Sequence, residues 1–155
     1  MLRFWHIIRT NSRASMKVRK VLLNDDNLNI LNKMESICYP EDKPYNKKHK
    51  AEWWFAYDDK NIPVGFGGAT YWKPDNYIFL CLSGVVPSAR GNGLQRKLIK
   101  SRLRWGKSIN AKGAYTYAAR YNLISANNLI DCGFKLFKPT YYWGLEDAFY
   151  LYKTL

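Results

Sequence analysis

Histidine is scarce in this chain: His6 and His49 are the only two among 155 residues, and the three cysteines form no C-x-x-C pair. Zinc sites draw on clustered His and Cys ligands, and a serine-hydrolase triad needs a histidine base, so neither can be assembled convincingly and no metal is expected. Cys38, Cys81 and Cys132 are odd in number and widely spaced, two of them within apolar segments. That pattern fits a reducing compartment and predicts a cytoplasmic protein. No apolar run approaches the roughly 18 residues needed to cross a bilayer, and no secretory signal with a cleavage pattern is found. A soluble chain with no membrane partner is expected.

Acid is missing too, over a long stretch. From Asn76 to Ile130 there is no Asp or Glu, while nine Lys and Arg residues fall there, Arg90, Arg96, Lys97 and Lys100 among them. With a formal net charge of +13, the chain is suited to an anionic partner, and a phosphate-bearing ligand belongs in this half. The balance of charge alone does not choose between a small ligand and a nucleic acid.

What is present is ordinary globular material with many aromatic rings: 47% hydrophobic residues, 24% charged and 16% aromatic. The length suits one domain with a real core. Residues 1–15 carry Arg3, Arg9 and Arg13 without an acid and read as a basic N-terminal extension, leaving 16–155 as the domain.

Along that domain the alternation from Met16 to Leu22 predicts a strand, and Asp25 the N-cap of a helix reaching about Cys38, ended by Pro40 and Pro44. Tyr39 to Lys50 reads as a loop able to lie over a cleft. Three strands in a meander are expected at Ala51–Tyr57, Pro63–Trp72 and Tyr77–Val86. Leu94, Leu98, Trp105 and Ile109 share a stripe on a helix from Gly93 to about Ile109, with cations opposite. A strand at Ala114–Tyr121, a helix at Leu123–Asp131 and two closing strands, Phe134–Lys138 and Ala148–Tyr152, complete the order β-α-β-β-β-α-β-α-β-β. The fold class is α/β (α+β): a mixed, mostly antiparallel central sheet flanked by helices.

Between the third meander strand and the basic helix lies Val85-Val86-Pro87-Ser88-Ala89-Arg90-Gly91-Asn92-Gly93-Leu94-Gln95. Two glycines there let the backbone take conformations other residues resist, so that successive N–H groups converge on a phosphate. The helix start adds unpaired N–H groups and its positive dipole end. Some thirty residues on, Asn122-Leu123-Ile124-Ser125 precedes Cys132-Gly133-Phe134. These two blocks resemble the GNAT superfamily of N-acetyltransferases, whose cofactor loop has the form Q/R-x-x-G-x-G/A after a strand ending in V-x-P; Gln95 in the last position is similar to a subgroup carrying R-G-x-G-L-Q.

The resemblance implies a GNAT-like fold and transfer of an acetyl group from acetyl-CoA to an amine, small molecule or protein, by direct attack without an acyl-enzyme. It implies cofactor contacts from Val85, Val86, Arg90, Gly91, Asn92, Gly93, Leu94, Gln95, Asn122 and Ser125, and polarisation of the thioester carbonyl by backbone N–H groups near Ser83 to Val86. The tyrosine that protonates the leaving thiolate in many members falls at Leu129, so Tyr117, Tyr121, Tyr142 and Tyr150 are left as acid candidates, with Tyr117 foremost. No acidic base lies on Tyr77–Val86; Ser83 positioning a water, or Glu52 on a neighbouring strand, could serve. Two alternatives remain at this level: a basic nucleic-acid-binding module, and a fold that binds coenzyme A without turnover. A monomer or a homodimer is equally compatible with the sequence.

Overall fold

In a computed structural model describing residues 16–155, the expected order of elements is present. The basic extension, residues 1–15, lies outside the described residues. Strands β1 (Lys17–Val21), β2 (Glu52–Tyr57), β3 (Pro63–Trp72), β4 (Tyr77–Val85), β5 (Gly113–Ala119), β6 (Lys135–Phe137) and β7 (Ala148–Thr154) form one sheet in the order β1-β2-β3-β4-β5-β7-β6. Every neighbouring pair is antiparallel except β4 and β5. Parallel neighbours need a crossover, and helix α2 (Leu94–Ser108) supplies it.

Both faces of the sheet are covered. Helix α1 (Asp25–Cys38) lies on one, where Leu31 and Met34 meet Trp53, Phe55 and Phe66. On the other, α2 and α3 (Leu123–Asp131) bury Leu94, Leu98 and Leu129 against Trp54, Leu80 and Leu151. The unbroken apolar run Trp53-Trp54-Phe55-Ala56 follows from this: a strand covered on both sides has no solvent face to populate with polar residues. Each such large side chain, fully buried, contributes about 1.5–3 kcal/mol.

The helix ends obey local chemistry, with one correction. Asn24, and not Asp25, is the N-cap of α1; its Oδ1 accepts from the Asn27 N–H at 2.9 Å, and Asp25 and Asp26 occupy the first turn, where the dipole favours them. Proline at position 40 cannot continue the helix, which ends at Tyr39. Helix α2 begins differently. Gly93 is its N-cap at φ 74°, and no side chain caps it.

Candidate functional site

The β4–β5 ladder is short. It pairs Tyr77, Ile78 and Phe79 with Gly113, Ala114 and Tyr115; past a hydrogen bond of 2.8 Å from the Thr116 hydroxyl to the Leu80 carbonyl, a cleft of about 290 Å³ opens between the two strands. The edge of β4 inside this cleft can be read from hydrogen-bond parity. The N–H of Val86 donates to Val64 on β3, and Val85 stands opposite Gly65, so alternation turns the N–H and C=O groups of Val85 and Ser83 away from β3, toward the gap. Further in, register with β3 slips between Gly67 and Ala69, where β4 inserts an extra residue near Cys81 and Leu82. Such a bulge re-aims side chains and ends pairing.

Two side chains already sit on that edge. The Tyr39 hydroxyl donates to the Ser83 carbonyl, and Arg90 Nε donates to the Val85 carbonyl at 2.9 Å. Burial pushes the Tyr39 phenol up to about 12. Burial also raises the Cys38 thiol next door, although the adjacent Arg90 guanidinium draws it back down.

The glycine loop follows directly. Residues Pro87–Ala89 make a single 3-10 turn, Gly91 and Gly93 take φ of 80° and 74°, and an added Cβ at either would meet nothing within 4 Å. The glycines are therefore required by backbone conformation and not by crowding within the chain, and they border open space at a helix start that no side chain caps. Room and the positive end of a fifteen-residue helix are what an anionic group needs. Asn92 stabilises the turn through Nδ2, which donates to the Ala89 carbonyl at 3.1 Å.

Gln95 and the second block are joined by a polar chain. Gln95 Nε2 donates to Ser125 Oγ at 3.2 Å, Asn128 Nδ2 to Gln95 Oε1 at 2.9 Å, and Arg96 Nε to Asn128 Oδ1 at 2.9 Å. Arg96 ends the chain in an ion pair with Asp131 at 2.5 Å. Asn122 caps α3, its Oδ1 accepting from the Ser125 N–H at 3.1 Å, and both residues also line the cleft.

Of the three residues expected to act in chemistry, the structure brings two to the cleft and leaves one out. Ser83 and Tyr117 line it. The Tyr117 ring stacks with Phe79 at 6.1 Å and packs edge-on against Trp143 at 5.5 Å, and burial raises its phenol. Glu52 lies elsewhere: it opens β2, half exposed, in an ion pair with Lys20 of β1 at 3.2 Å, because β3 and β4 stand between it and the gap. Of the other tyrosine candidates, Tyr150 is buried with its hydroxyl donating to the Leu145 carbonyl at 2.7 Å, and Tyr121 is 86% exposed at the cleft's rim. Leu129 is buried in the wall.

Other cleft residues were not singled out by sequence. Arg102 of α2 is fully buried and has no carboxylate partner among the described residues; its Nε donates to the Leu98 carbonyl at 3.1 Å and its Nη1 to the carbonyls of Gly68 at 3.1 Å and Cys81 at 3.4 Å. Those last two carbonyls flank the β4 bulge, so the guanidinium satisfies backbone groups that the broken ladder leaves over. Burial lowers its pKa to about 10, which still leaves it protonated at neutral pH. The same burial pushes the Cys81 thiol up to about 11.

Across the gap, the loop after α1 places Tyr39, Asp42 and Tyr45 in the cleft wall. A buried ion pair holds the loop, Lys48 Nζ to Glu35 Oε2 at 2.5 Å, both side chains under a tenth exposed. The sequence marked this loop as a cleft cover, but an ordinary-looking Glu on a helix and a Lys in a polar loop gave no sign that they would be buried together.

Comparison with known proteins follows the same lines. Residues 23–134 match the model of the acetyltransferase (GNAT) family. Among solved structures, an acetyltransferase of that family from Staphylococcus aureus Mu50 superposes with a TM-score of 0.74 at 17% identity, over 90% of this chain and 98% of that one. A Bacillus subtilis acetyltransferase in complex with CoA gives 0.70 at 14% identity, over 90% and 99%. A spermidine N-acetyltransferase from Vibrio cholerae gives 0.69 at 15% identity, over 91% and 94%. No curated protein sequence matches the chain.

Proposed function

The chain belongs to the acetyltransferase (GNAT) family, and from that membership we propose that it transfers an acetyl group from acetyl-CoA to the amine of an acceptor by direct attack. One observation carries the reading. The edge of β4 that Val85 and Ser83 turn away from β3 leads from the glycine loop into the cleft, so a ligand anchored by its phosphates at Arg90–Gln95 has a backbone track to follow once Arg90 and Tyr39 yield their carbonyls. Val86, Gly91, Asn92, Gly93 and Leu94 form the cradle, and Asn122 and Ser125 face the arm from α3. Arg90 is near enough to leave the Val85 carbonyl and turn its charge to the phosphates, freeing that carbonyl for a ligand amide.

Within the cleft, catalysis needs three things from the protein: backbone donors at the developing oxyanion, confinement of both reactants, and a proton for the leaving sulfur. The N–H groups of β4 between the bulge and Val85 supply the first. Walls from α1's loop, β5 and α3 supply the second. Unpaired thiols at Cys38, Cys81 and Cys132 fit a reducing, cytoplasmic setting.

Isothermal titration with acetyl-CoA should give one site per chain, and thiol release should follow addition of a suitable primary amine from a broad panel. Absence of heat at high micromolar ligand would end the reading. Direct attack makes a second demand. Burial pushes the Cys81 thiol up to about 11, so it keeps its proton at neutral pH and is a poor nucleophile for an acyl-enzyme route. Mass spectrometry after incubation with acetyl-CoA alone should find the Cys81 peptide unmodified, and stoichiometric acetylation there would replace direct attack with a two-step route.

A further inference from the structure

We propose that the outer face of α2 is a second binding surface, one that takes the phosphate backbone of a single-stranded nucleic acid. Lys100, Arg104 and Lys107 recur at spacings of four and three residues, so they stand in one exposed row about 10 Å long. None of the three has a carboxylate partner among the described residues. The acids bordering this face are already engaged, Glu52 with Lys20 at 3.2 Å and Asp131 with Arg96 at 2.5 Å. Like charges one turn apart repel and weaken a helix, and α2 holds no acid among its fifteen residues to offset them. A polyanion laid along the row would remove that repulsion.

The make-up of the face selects the partner. A membrane or a protein would need apolar side chains to bury among the cations. Here the other exposed residues along the end of the row are Ser108 and Asn110, while Trp105 is half-buried with the Lys20 ammonium 5.7 Å from its ring centre. Charge without apolar anchors suits a phosphodiester chain, whose binding draws on released counterions. Both ends of α2 extend the surface. At its start, Lys97 Nζ donates to the Met16 carbonyl at 3.2 Å, so residues 1–15, with Arg3, Arg9 and Arg13 and no acid, join the fold beside it. At its end stands Tyr71, 42% exposed. Tyr71 lies opposite Ile78 of β4, which packs so closely on α2 that a Cβ at Gly106 would come within 2.7 Å of it, so the tyrosine shares the helix's side of the sheet. Its hydroxyl donates to Asn76 Oδ1 at 2.9 Å, and Asn76 Nδ2 donates to the Asn110 carbonyl at 3.0 Å, which ties the ring to the helix end. Exposed Lys112 is fixed there too, its N–H donating to the Asn76 carbonyl at 2.7 Å; Asp75, the acid of this hairpin, is two residues from exposed Lys73. Single strands use this combination, with the backbone on the cations and a base on the ring.

The surface is separate from the cleft and from the phosphate cradle. Arg90–Gln95 end in the first turn of α2, whereas the row lies about 9–20 Å further along the helix axis, and none of its three cations lines the cleft. Coenzyme A and a nucleic acid can therefore be held together, and the row stands or falls without reference to acetyl transfer.

The test uses a labelled single-stranded RNA of mixed sequence, about 20 nucleotides long, followed by fluorescence anisotropy. At about 50 mM salt the wild type should bind it with a micromolar Kd, and log Kd should rise with log salt at a slope of at least about 2, the value for about three cations on a single strand. Combining Lys100→Glu, Arg104→Glu and Lys107→Glu should raise the RNA Kd at least about thirtyfold and leave the acetyl-CoA Kd within about threefold of wild type. The same three positions changed to Gln should weaken RNA by about tenfold, which keeps the test alive if the charge reversal fails to fold. Tyr71→Ala should cost about fivefold or more in affinity with the salt slope unchanged. Saturating coenzyme A should leave the RNA bound. The proposal is overturned if the wild type shows no binding at low salt, if both triple variants bind RNA like the wild type, or if coenzyme A displaces the RNA, which would put it in the phosphate cradle. Tyr71→Ala with wild-type affinity would remove the base contact and with it the single-strand assignment. Phosphatidylserine vesicles that capture the protein where RNA does not would give the face to a membrane and overturn the proposal as well.

Discussion

Gly93→Glu should lower the affinity for acetyl-CoA by a factor on the order of 10³, and do so with little harm to the fold. The backbone at Gly93 is left-handed, φ 74°, and any side chain there carries a strain of roughly 1–2 kcal/mol. An added Cβ meets nothing within 4 Å, so there is no clash inside the protein to add to it. A carboxylate at a helix N-terminus even recovers part of the cost, and the melting temperature should move by only about 2–8 °C. The same carboxylate occupies the space and the field in which a diphosphate would lie. Gly93→Asn separates the two effects: asparagine tolerates the left-handed region and carries no charge, so its loss of affinity should be no more than about tenfold. Titration calorimetry on the three proteins decides, and a Gly93→Glu protein that still binds within tenfold of wild type would place the phosphates away from this loop.

The contrast between Gly93 and the loop after α1 marks what was legible in the sequence. Gly91, Gly93, the stripe of Leu94 and Leu98, and the paired strands of the meander are local patterns: each is dictated by backbone conformation or by a periodicity of a few residues, and each stands where the letters put it. Helix α3 was read to the residue because Asn122 caps it and Gly133, at φ 95°, follows its end. The misses are non-local. Glu52 looked available because alternation along β2 does not say how many strands separate it from the cleft. Arg102 belongs, by letter, to the cationic side of α2, yet it turns inward because the β4 bulge leaves carbonyls there, and a bulge has no signature in Leu80-Cys81-Leu82-Ser83. Asn24 took the cap from Asp25 by one position, the usual scale of uncertainty at a helix end. Tyr45 was one letter in a polar loop until Glu35 and Lys48, ten and three residues away, closed on its backbone.

That closure gives the second large effect. Glu35→Gln leaves the Lys48 ammonium, 5% exposed, without its counter-charge, and should destabilise the protein by about 3–5 kcal/mol. For a chain of this size the melting temperature should drop by roughly 10 °C or more. Removing both charges is a different perturbation. Glu35→Gln combined with Lys48→Met takes the unpaired ion out of the interior, and most of the lost stability should return, because the separate costs of a buried pair do not add. A double variant as unstable as the single one would mean that the charges stabilise the fold outright. Glutamine can still accept from the Tyr45 N–H, but methionine cannot donate to the Tyr45 carbonyl, so only one of the two backbone anchors survives. The double variant should therefore melt near the wild type and bind acetyl-CoA normally, yet turn over more slowly, since a cleft-wall residue released at one end no longer confines the two reactants as closely. Stability and catalysis part company in that protein only if the buried pair serves to place Tyr45.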